Sequence, residues 1–365
     1  MTTNGQTKPK LALILGSGFS RAFGLPTAAE LGTKLLQNPQ NGVLAAAWEQ
    51  RISDILLQFW QDIFGYTEGT TAPSLEDHFT MLDLSANSGH NLGPRYKPKV
   101  LRAIRRMSIH RVFQMLEKNL ISHSSVRKDF FERLQNTFDV AVVTPNWDIV
   151  AEVGLGFDVN YGIDVYSLDE PFPGEARTRL LKLHGSANWV YCDCCRRIYG
   201  GADKTALNMG VFLEYDDFRL FDNKLPPEIP EDFPRGDRRC SSCGNELGGR
   251  IATFSYRKDF SIRQFQTIWQ QAYAALQEAD RWLVIGYSLP QADFELRHLL
   301  KSAQLGRSNP EKWTCEVVLK TDCIAQIQFE GLFGATRIRM EQQGLIKWIQ
   351  SRLPGLLAEG VSTNS

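Results

Sequence analysis

The amino-acid sequence predicts an α/β fold: a mostly parallel sheet with helices on both faces and a small cysteine-bounded module set into it. Three observations carry that expectation. Short apolar runs recur along the chain, separated by stretches of helical periodicity, which is the pattern of buried parallel strands and their crossover helices. The first run, Leu11 to Leu15, leads straight into Gly16, Ser17 and Gly18. Two C-x-x-C pairs, Cys192 with Cys195 and Cys240 with Cys243, bracket a proline-rich stretch.

Taken in order, residues 1–9 read as a disordered leader. The first strand and its glycines precede a helix expected over Thr27 to Gln37. A strand that runs through glycines into a helix lets the backbone approach a diphosphate, and helix N-terminal amides favour the negative charge. The spacing is not G-x-G-x-x-G, because Arg21 stands where the third glycine would be. Leu44 to Gly65 carries Trp48, Ile52, Leu56 and Phe59 on one helical stripe, which suits a core-facing helix. Leu75 to Leu84 starts another helix with Ser74 as N-cap. Residues 95–111 hold Arg95, Lys97, Lys99, Arg102, Arg105, Arg106 and Arg111 without an acid among them. That run reads either as a solvated helix face or as a docking surface for an acidic partner or nucleic acid.

Asp139 to Val143 is the second strand and Leu180 to Leu183 the third. The insertion follows, with Pro226, Pro227, Pro230 and Pro234 in a loop-like segment. Ser261 to Ala279 is a helix with Phe265, Ile268, Trp269, Ala272 and Leu276 on one face. Trp282 to Ile285 and Thr314 to Leu319 add strands, Ile338 begins a further one, and a last helix runs through Trp348. Residues from 355 on are expected to fray. The division is therefore a leader at 1–9, a main domain at 10–191 and 250–354, a zinc module at 192–249 and a tail at 355–365.

The chain has 365 residues, enough for a substantial core, and Lys plus Arg balance Asp plus Glu at 41 each. A net charge of zero speaks against bulk binding to nucleic acid or an anionic membrane. No apolar run reaches the length of a membrane span, and the polar start has no signal-peptide core. A cytoplasmic protein is the expectation, and in a reducing compartment paired cysteines read as metal ligands before disulfides. Cys192, Cys195, Cys240 and Cys243 match the two knuckles of a structural Zn(Cys)4 site, with Cys194 able to replace one ligand. Four thiolates leave no open position, so such a metal is not the catalyst.

Ligands of open α/β sheets sit beyond the carboxyl ends of the strands. Four motifs each follow a predicted strand at once: Gly16 to Gly18, Asn146 with Asp148, His184 with Gly185 and Ser186, and Gly286 with Ser288. They should converge on one rim. His184 is an acid–base group suited to take a proton from water or a sugar hydroxyl, or else a core histidine. Asn146 can hold a water or a ribose hydroxyl, or cap a helix. Asp148 orients a partner or favours the next helix N-terminus. Ser17 and Ser288 reach phosphate or ribose, or are turn residues.

The segments GSGFSRAFGLP at 16–26, VVTPNWD at 142–148, KLHGSANW at 182–189 and VIGYSLPQAD at 284–293, in that order and with cysteine pairs after the histidine, resemble the SIR2 (sirtuin) superfamily, and more closely its bacterial SIR2-like branch. The resemblance implies a Rossmann-like NAD-binding domain with a zinc module. On the matching positions it implies that Gly16, Ser17, Gly18, Phe19 and Ser20 lie along the dinucleotide. Asn146 and Asp148 would be at the nicotinamide ribose, His184 would be the catalytic base, and Gly286, Tyr287 and Ser288 would hold the phosphate or adenosine side. The family's G-I-P-D-F-R is Gly24, Leu25, Pro26, Thr27, Ala28 and Ala29 here, and its late adenosine-contacting asparagine has no match near Lys320 and Thr321. Those departures leave NAD+ binding in place and weaken acyl-lysine chemistry. The implied activity is NAD+ glycohydrolysis, an NAD+ nucleosidase of the kind associated with defence against phage, gated by a homo-oligomer, a HerA-type ATPase, an Argonaute-like protein or another partner. An NAD-dependent protein deacylase and a non-catalytic NAD or ADP-ribose sensor are the alternatives.

Overall fold

The computed structural model describes residues 8–37, 46–118, 124–167, 178–201, 207, 210–221, 228–236, 238–249, 262–310, 313–320 and 323–362. Most of the expected leader, together with Pro226, Pro227 and Thr321, lies outside them.

Strand β1 (Lys10–Leu15) is buried from Leu11 onward without alternation, which requires cover on both faces of the sheet. It leads through Gly16 into a five-residue helix α1 (Ser17–Arg21), not directly into the longer helix expected further on. That longer helix is α2 (Ala28–Lys34). Thr27 caps it, and Thr27 and Glu30 form a reciprocal capping box. Helices α3 (Ala47–Phe64), α4 (Leu75–Ser88), α5 (Pro98–Lys118) and α6 (Ser124–Thr137) follow. Ser74 caps α4 through its hydroxyl, as its position suggests.

Strand β2 (Asp139–Thr144), helix α7 (Val150–Gly154), the short strands β3 (Val159–Asn160) and β4 (Val165–Ser167), and β5 (Thr178–Lys182) come next. Strands β6 (Trp189–Cys192) and β7 (Arg197–Gly200) open the inserted module. The chain then returns through α8 (Arg263–Glu278), β8 (Arg281–Ile285), α9 (Phe294–Leu305), β9 (Cys315–Val318), α10 (Cys323–Phe333), β10 (Ile338–Glu341) and α11 (Leu345–Ser351). The tail expected to fray is instead helix α12 (Leu353–Ser362), anchored by buried Leu353 and Leu356 and packed on α6. Gly355 lies inside that helix, where buried leucines outweigh its low propensity.

Seven strands form one parallel sheet in the order β10-β9-β8-β1-β2-β5-β3. Its register sets Leu13 between Val142 on β2 and Leu283 on β8. Helix α6 packs on β2, and α8 packs on β1 and β5. This is the doubly wound, Rossmann-like arrangement, and the winding reverses between β1 and β8. The crevice at the carboxyl ends of those two strands is the place such folds reserve for ligands. Strands β4, β7 and β6 make a separate small sheet. The inserted segment also docks on the helical layer, where Phe233 sets its ring 5.3 Å from Trp48 on α3.

The basic run at 95–111 is divided: Arg95, Lys97, Lys99 and Arg102 are exposed, whereas Arg105 and Arg106 are half-buried and Arg111 is buried. Several of its guanidinium groups pair within the chain. Arg95 meets Asp62 at 2.9 Å and Arg105 meets Asp83 at 2.7 Å. Arg106 grips Asp217 of the insertion through two nitrogens. Buried Arg111 donates to the Glu49 carbonyl at 2.9 Å and to Ser53 Oγ at 3.2 Å. The acids that pair with Arg95, Arg105 and Arg106 lie on other elements, so the local sequence could not show the pairing.

Candidate active site

Four strand ends meet in one rim, tied by their own backbone and side chains. Thr144, the last residue of β2, donates its hydroxyl to the Leu15 carbonyl at 2.8 Å and accepts the Asn146 amide at 3.1 Å. Its carbonyl accepts the Leu183 amide at 2.9 Å. The Gly16 amide donates to Ile285 O at 3.0 Å and the Gly18 amide to Gly286 O at 2.9 Å. The ends of β1, β2, β5 and β8 are thus one structure.

The glycines have a packing reason. A Cβ on Gly16 would stand 2.5 Å from Gly286 O, and a Cβ on Gly286 would stand 2.1 Å from the Phe19 amide nitrogen. Gly286 also holds φ at 67°, a value that side-chain-bearing residues rarely adopt. Two loops meet backbone to backbone only because none of these residues carries a side chain. Correspondingly, the Gly16 and Gly18 amides are engaged by the β8 loop, so they are not the phosphate-facing donors expected of a glycine turn.

A cavity of about 960 Å³ opens over this rim. Its walls include Ser17, Gly18, Asn146, Gly286, Tyr287 and Ser288 from the expected set. Gly16, Phe19, Ser20, Asp148 and His184 stand behind that wall. Phe19 is a core residue, its ring 5.1 Å from Phe23 and 5.9 Å from Phe130 and Phe131. Buried Ser20 joins the two polar residues of the P-N-W-D segment. Its Oγ donates to Asp148 Oδ2 at 2.7 Å and accepts from Asn146 Nδ2 at 3.1 Å. The other oxygen of Asp148 accepts the Val150 amide at 3.0 Å, at the start of α7. Trp147 turns the opposite way, into Phe79 and Phe113.

Behind this layer, Lys182 reaches the Asp148 carbonyl and pairs with Glu152 at 3.0 Å, while Ser186 donates to Glu152 at 3.1 Å. Burial holds the Glu152 carboxyl above its usual range, and Lys182 only partly offsets this. His184 is buried, its ring 6.3 Å from Trp269, whose indole N–H donates to the Leu183 carbonyl at 3.0 Å. His184 Nε2 lies 3.9 Å from Asp293 Oδ1.

Residues beyond the expected set complete the cavity. Arg21 and Glu30 form an ion pair at 3.0 Å on its wall. Partial burial opposes ionisation of Glu30, yet the Thr27 amide and hydroxyl together with Arg21 hold its carboxyl below the usual value. Ala28 and Ala29 line the same wall, as do Asp293, Lys320 and Lys347. Lys320 stands at the exit of β9, a signal the sequence offers only once that strand is placed.

The four paired cysteines come together. All four sulfurs lie within 4.8 Å of one another, with Cys192 and Cys243 at 3.6 Å and Cys195 and Cys240 at 3.8 Å. Tetrahedral Zn–S bonds of about 2.3 Å place sulfurs about 3.8 Å apart, so the donor set fits zinc. Exposed Cys194 is not among the four. Each knuckle ends alike: the Arg196 amide returns to the Cys192 carbonyl and the Gly244 amide to the Cys240 carbonyl, both at 2.8 Å, and both residues have positive φ.

No protein-family profile matches this chain, and no curated protein does. Among solved structures it is similar to a Sir2 homologue in complex with NAD, at 14% identity over 99% of this chain and 92% of that one, TM-score 0.43. It is also similar to a structure of Sir2 with a p53 peptide and NAD+, at 13% identity over 97% and 94%, TM-score 0.42. A structure solved for the mechanism and regulation of Sir2 enzymes matches at 16% identity over 98% and 94%, TM-score 0.41.

Proposed function

We propose that this chain is a SIR2-like NAD+ glycohydrolase, releasing nicotinamide and ADP-ribose. The observation that carries the reading is the convergence of Gly18, Asn146, Gly286 and Ser288 on one cavity at the switch point of the sheet, with His184 directly behind it. The cavity volume is at the upper end of what small-molecule sites use, which suits a dinucleotide. The four motifs that resemble the SIR2 pattern supply its walls and its backing.

The leaving group is a neutral pyridine, so the enzyme's task is to hold the ribose while positive charge develops and to deliver water to C1′. Asn146 has the donor and acceptor needed for a ribose hydroxyl and a water, and Ser20 fixes its amide. His184 takes the proton that the attacking water loses. Zinc, held by Cys192, Cys195, Cys240 and Cys243, shapes the module and takes no part in bond breaking. Ala28 and Ala29 replace the bulky and charged residues with which related deacylases would gate the site. We also propose that turnover is gated, by self-assembly or by a partner in a phage-defence system, because unrestrained hydrolysis would drain the host's NAD+ pool.

The test is nicotinamide release from NAD+, followed chromatographically with and without an acyl-lysine peptide. His184→Ala and Asn146→Ala should each lower kcat by about 100-fold or more. Full turnover in the His184 variant would overturn its role as base. Strict dependence on peptide would assign deacylation, and tight binding without turnover would assign a sensor.

A further inference from the structure

Asp293 belongs to the last resembling segment, 284–293, and has no part in the hydrolysis proposed for Asn146 and His184. It occupies the N-cap position of α9, where an aspartate ordinarily accepts a backbone amide of the first turn. Here it makes no such bond. Its carboxylate turns toward the rim instead. Oδ2 accepts the Tyr287 hydroxyl at 3.0 Å, and Oδ1 stands 3.9 Å from His184 Nε2. The residue is only 8% exposed and lies on the cavity wall beside Asn146 and Tyr287. A carboxylate that forgoes a cap worth about 0.5–2 kcal/mol and accepts burial is held there by something other than helix stability.

We propose that Asp293, fixed by Tyr287, is the positioning residue for His184: it orients the imidazole and favours its protonated form. The inference rests on His184 being the base. At 3.9 Å the pair is within ion-pair reach and about 1 Å beyond a direct hydrogen bond, a gap that catalytic pairs commonly close when substrate binds. Other charges nearby have settled roles. Lys182, on the strand leading to His184, is engaged by Glu152. Glu295 and Arg297, on the first turn of α9, act on the Tyr287 phenol with opposite signs. From α8 the ring meets the uncharged indole of Trp269.

The experiment compares the native chain with Asp293→Asn and with Asp293→Ser, which removes the carboxylate but keeps a good N-cap residue. The His184 ring is followed by NMR as pH is varied, its signal assigned with His184→Gln, and kcat and KM are measured over the same range. Loss of the anion disfavours imidazolium, so the His184 midpoint should fall by about one unit in both variants. Because the base works when neutral, the acid limb of kcat should move to lower pH with it. Meanwhile kcat should drop about 100-fold with KM within about threefold. Asp293→Glu should recover part of the limb. A His184 ring that titrates at the same pH in all proteins, or in none, overturns the proposal. The ring titration does not depend on turnover, so a native chain that never hydrolyses NAD+ would refute the glycohydrolase reading while leaving the Asp293–His184 coupling measurable.

Discussion

Ser20 holds two polar side chains with one hydroxyl. Its single proton goes to Asp148 and its lone pair accepts Asn146, all three being nearly excluded from solvent. Ser20→Ala leaves a buried carboxylate oxygen and a buried amide short of a partner, at a cost of about 1–3 kcal/mol each if they cannot re-pair. Part of that cost falls on the geometry of Asn146, so kcat should drop about 10-fold to 100-fold while the protein remains folded. Nicotinamide release and thermal unfolding measured on the same preparation check this. A variant with native kcat would show that Asn146 needs no such anchor. At this scale the sequence revealed residue types and order but not facing. Asn146 and Gly286 were legible because each follows a strand. That Gly16 serves loop packing, that Phe19 is core, and that Asp293 turns back from its helix are three-dimensional facts with no local signature.

Among the elements, the buried strands were the most legible. A central parallel strand must be apolar where both of its faces are covered, and Leu11 to Leu15, Val140 to Val143 and Trp282 to Ile285 are apolar throughout. The two-residue β3 and three-residue β4 carry no periodicity to read, and α1 is too short to show one. The four-cysteine cluster was legible through spacing alone, since C-x-x-C sets two sulfurs on one turn whatever surrounds them. How the segment between the pairs is anchored was not, because Arg106 holds Asp217 and Trp48 meets Phe233 across distant parts of the chain. The equivalent shape of the two knuckles yields a clean prediction. The purified chain should carry one zinc, measured by elemental mass spectrometry. Cys195→Ser or Cys240→Ser should lose it and lower the unfolding temperature by several degrees, since metal binding is coupled to folding. Cys194→Ser should retain full zinc. Zinc retained in both ligand variants would mean that the metal is held elsewhere.

For the molecule as a whole, the helical layer of α3, α4 and α5 couples stability to pH through two buried histidines. His78 accepts the Trp60 indole N–H at Nδ1, 3.0 Å away, and meets Ser108 at Nε2 at 2.8 Å. The Ser108 proton is committed to the Ile104 carbonyl, so His78 carries its own proton on Nε2. Burial pushes its pKa down to about 3. His110 is also pushed down to about 3, by burial first and by Arg111 second, and among the described residues neither of its nitrogens has a hydrogen-bond partner. Both rings are neutral in the fold, whereas in the unfolded chain they take up a proton below about pH 6.5. Their contribution is therefore intact above about 6.5 and lost as pH falls toward 3, at up to about 1.4 kcal/mol per unit per histidine. Glu152 works in the opposite direction, because burial raises its pKa, but it is unchanged by substitution at His110 and cancels in a comparison. His110→Leu removes one titrating group and an unsatisfied buried ring at once. It should raise stability at pH 7 by about 1 kcal/mol and flatten its fall between pH 6 and 4.5 by about one proton's worth. His78→Leu should flatten the fall equally but destabilise at pH 7, because Trp60 and Ser108 lose their partner. Urea unfolding across that pH range separates the two. Parallel curves for the native chain and His110→Leu would mean that His110 is not neutral in the fold.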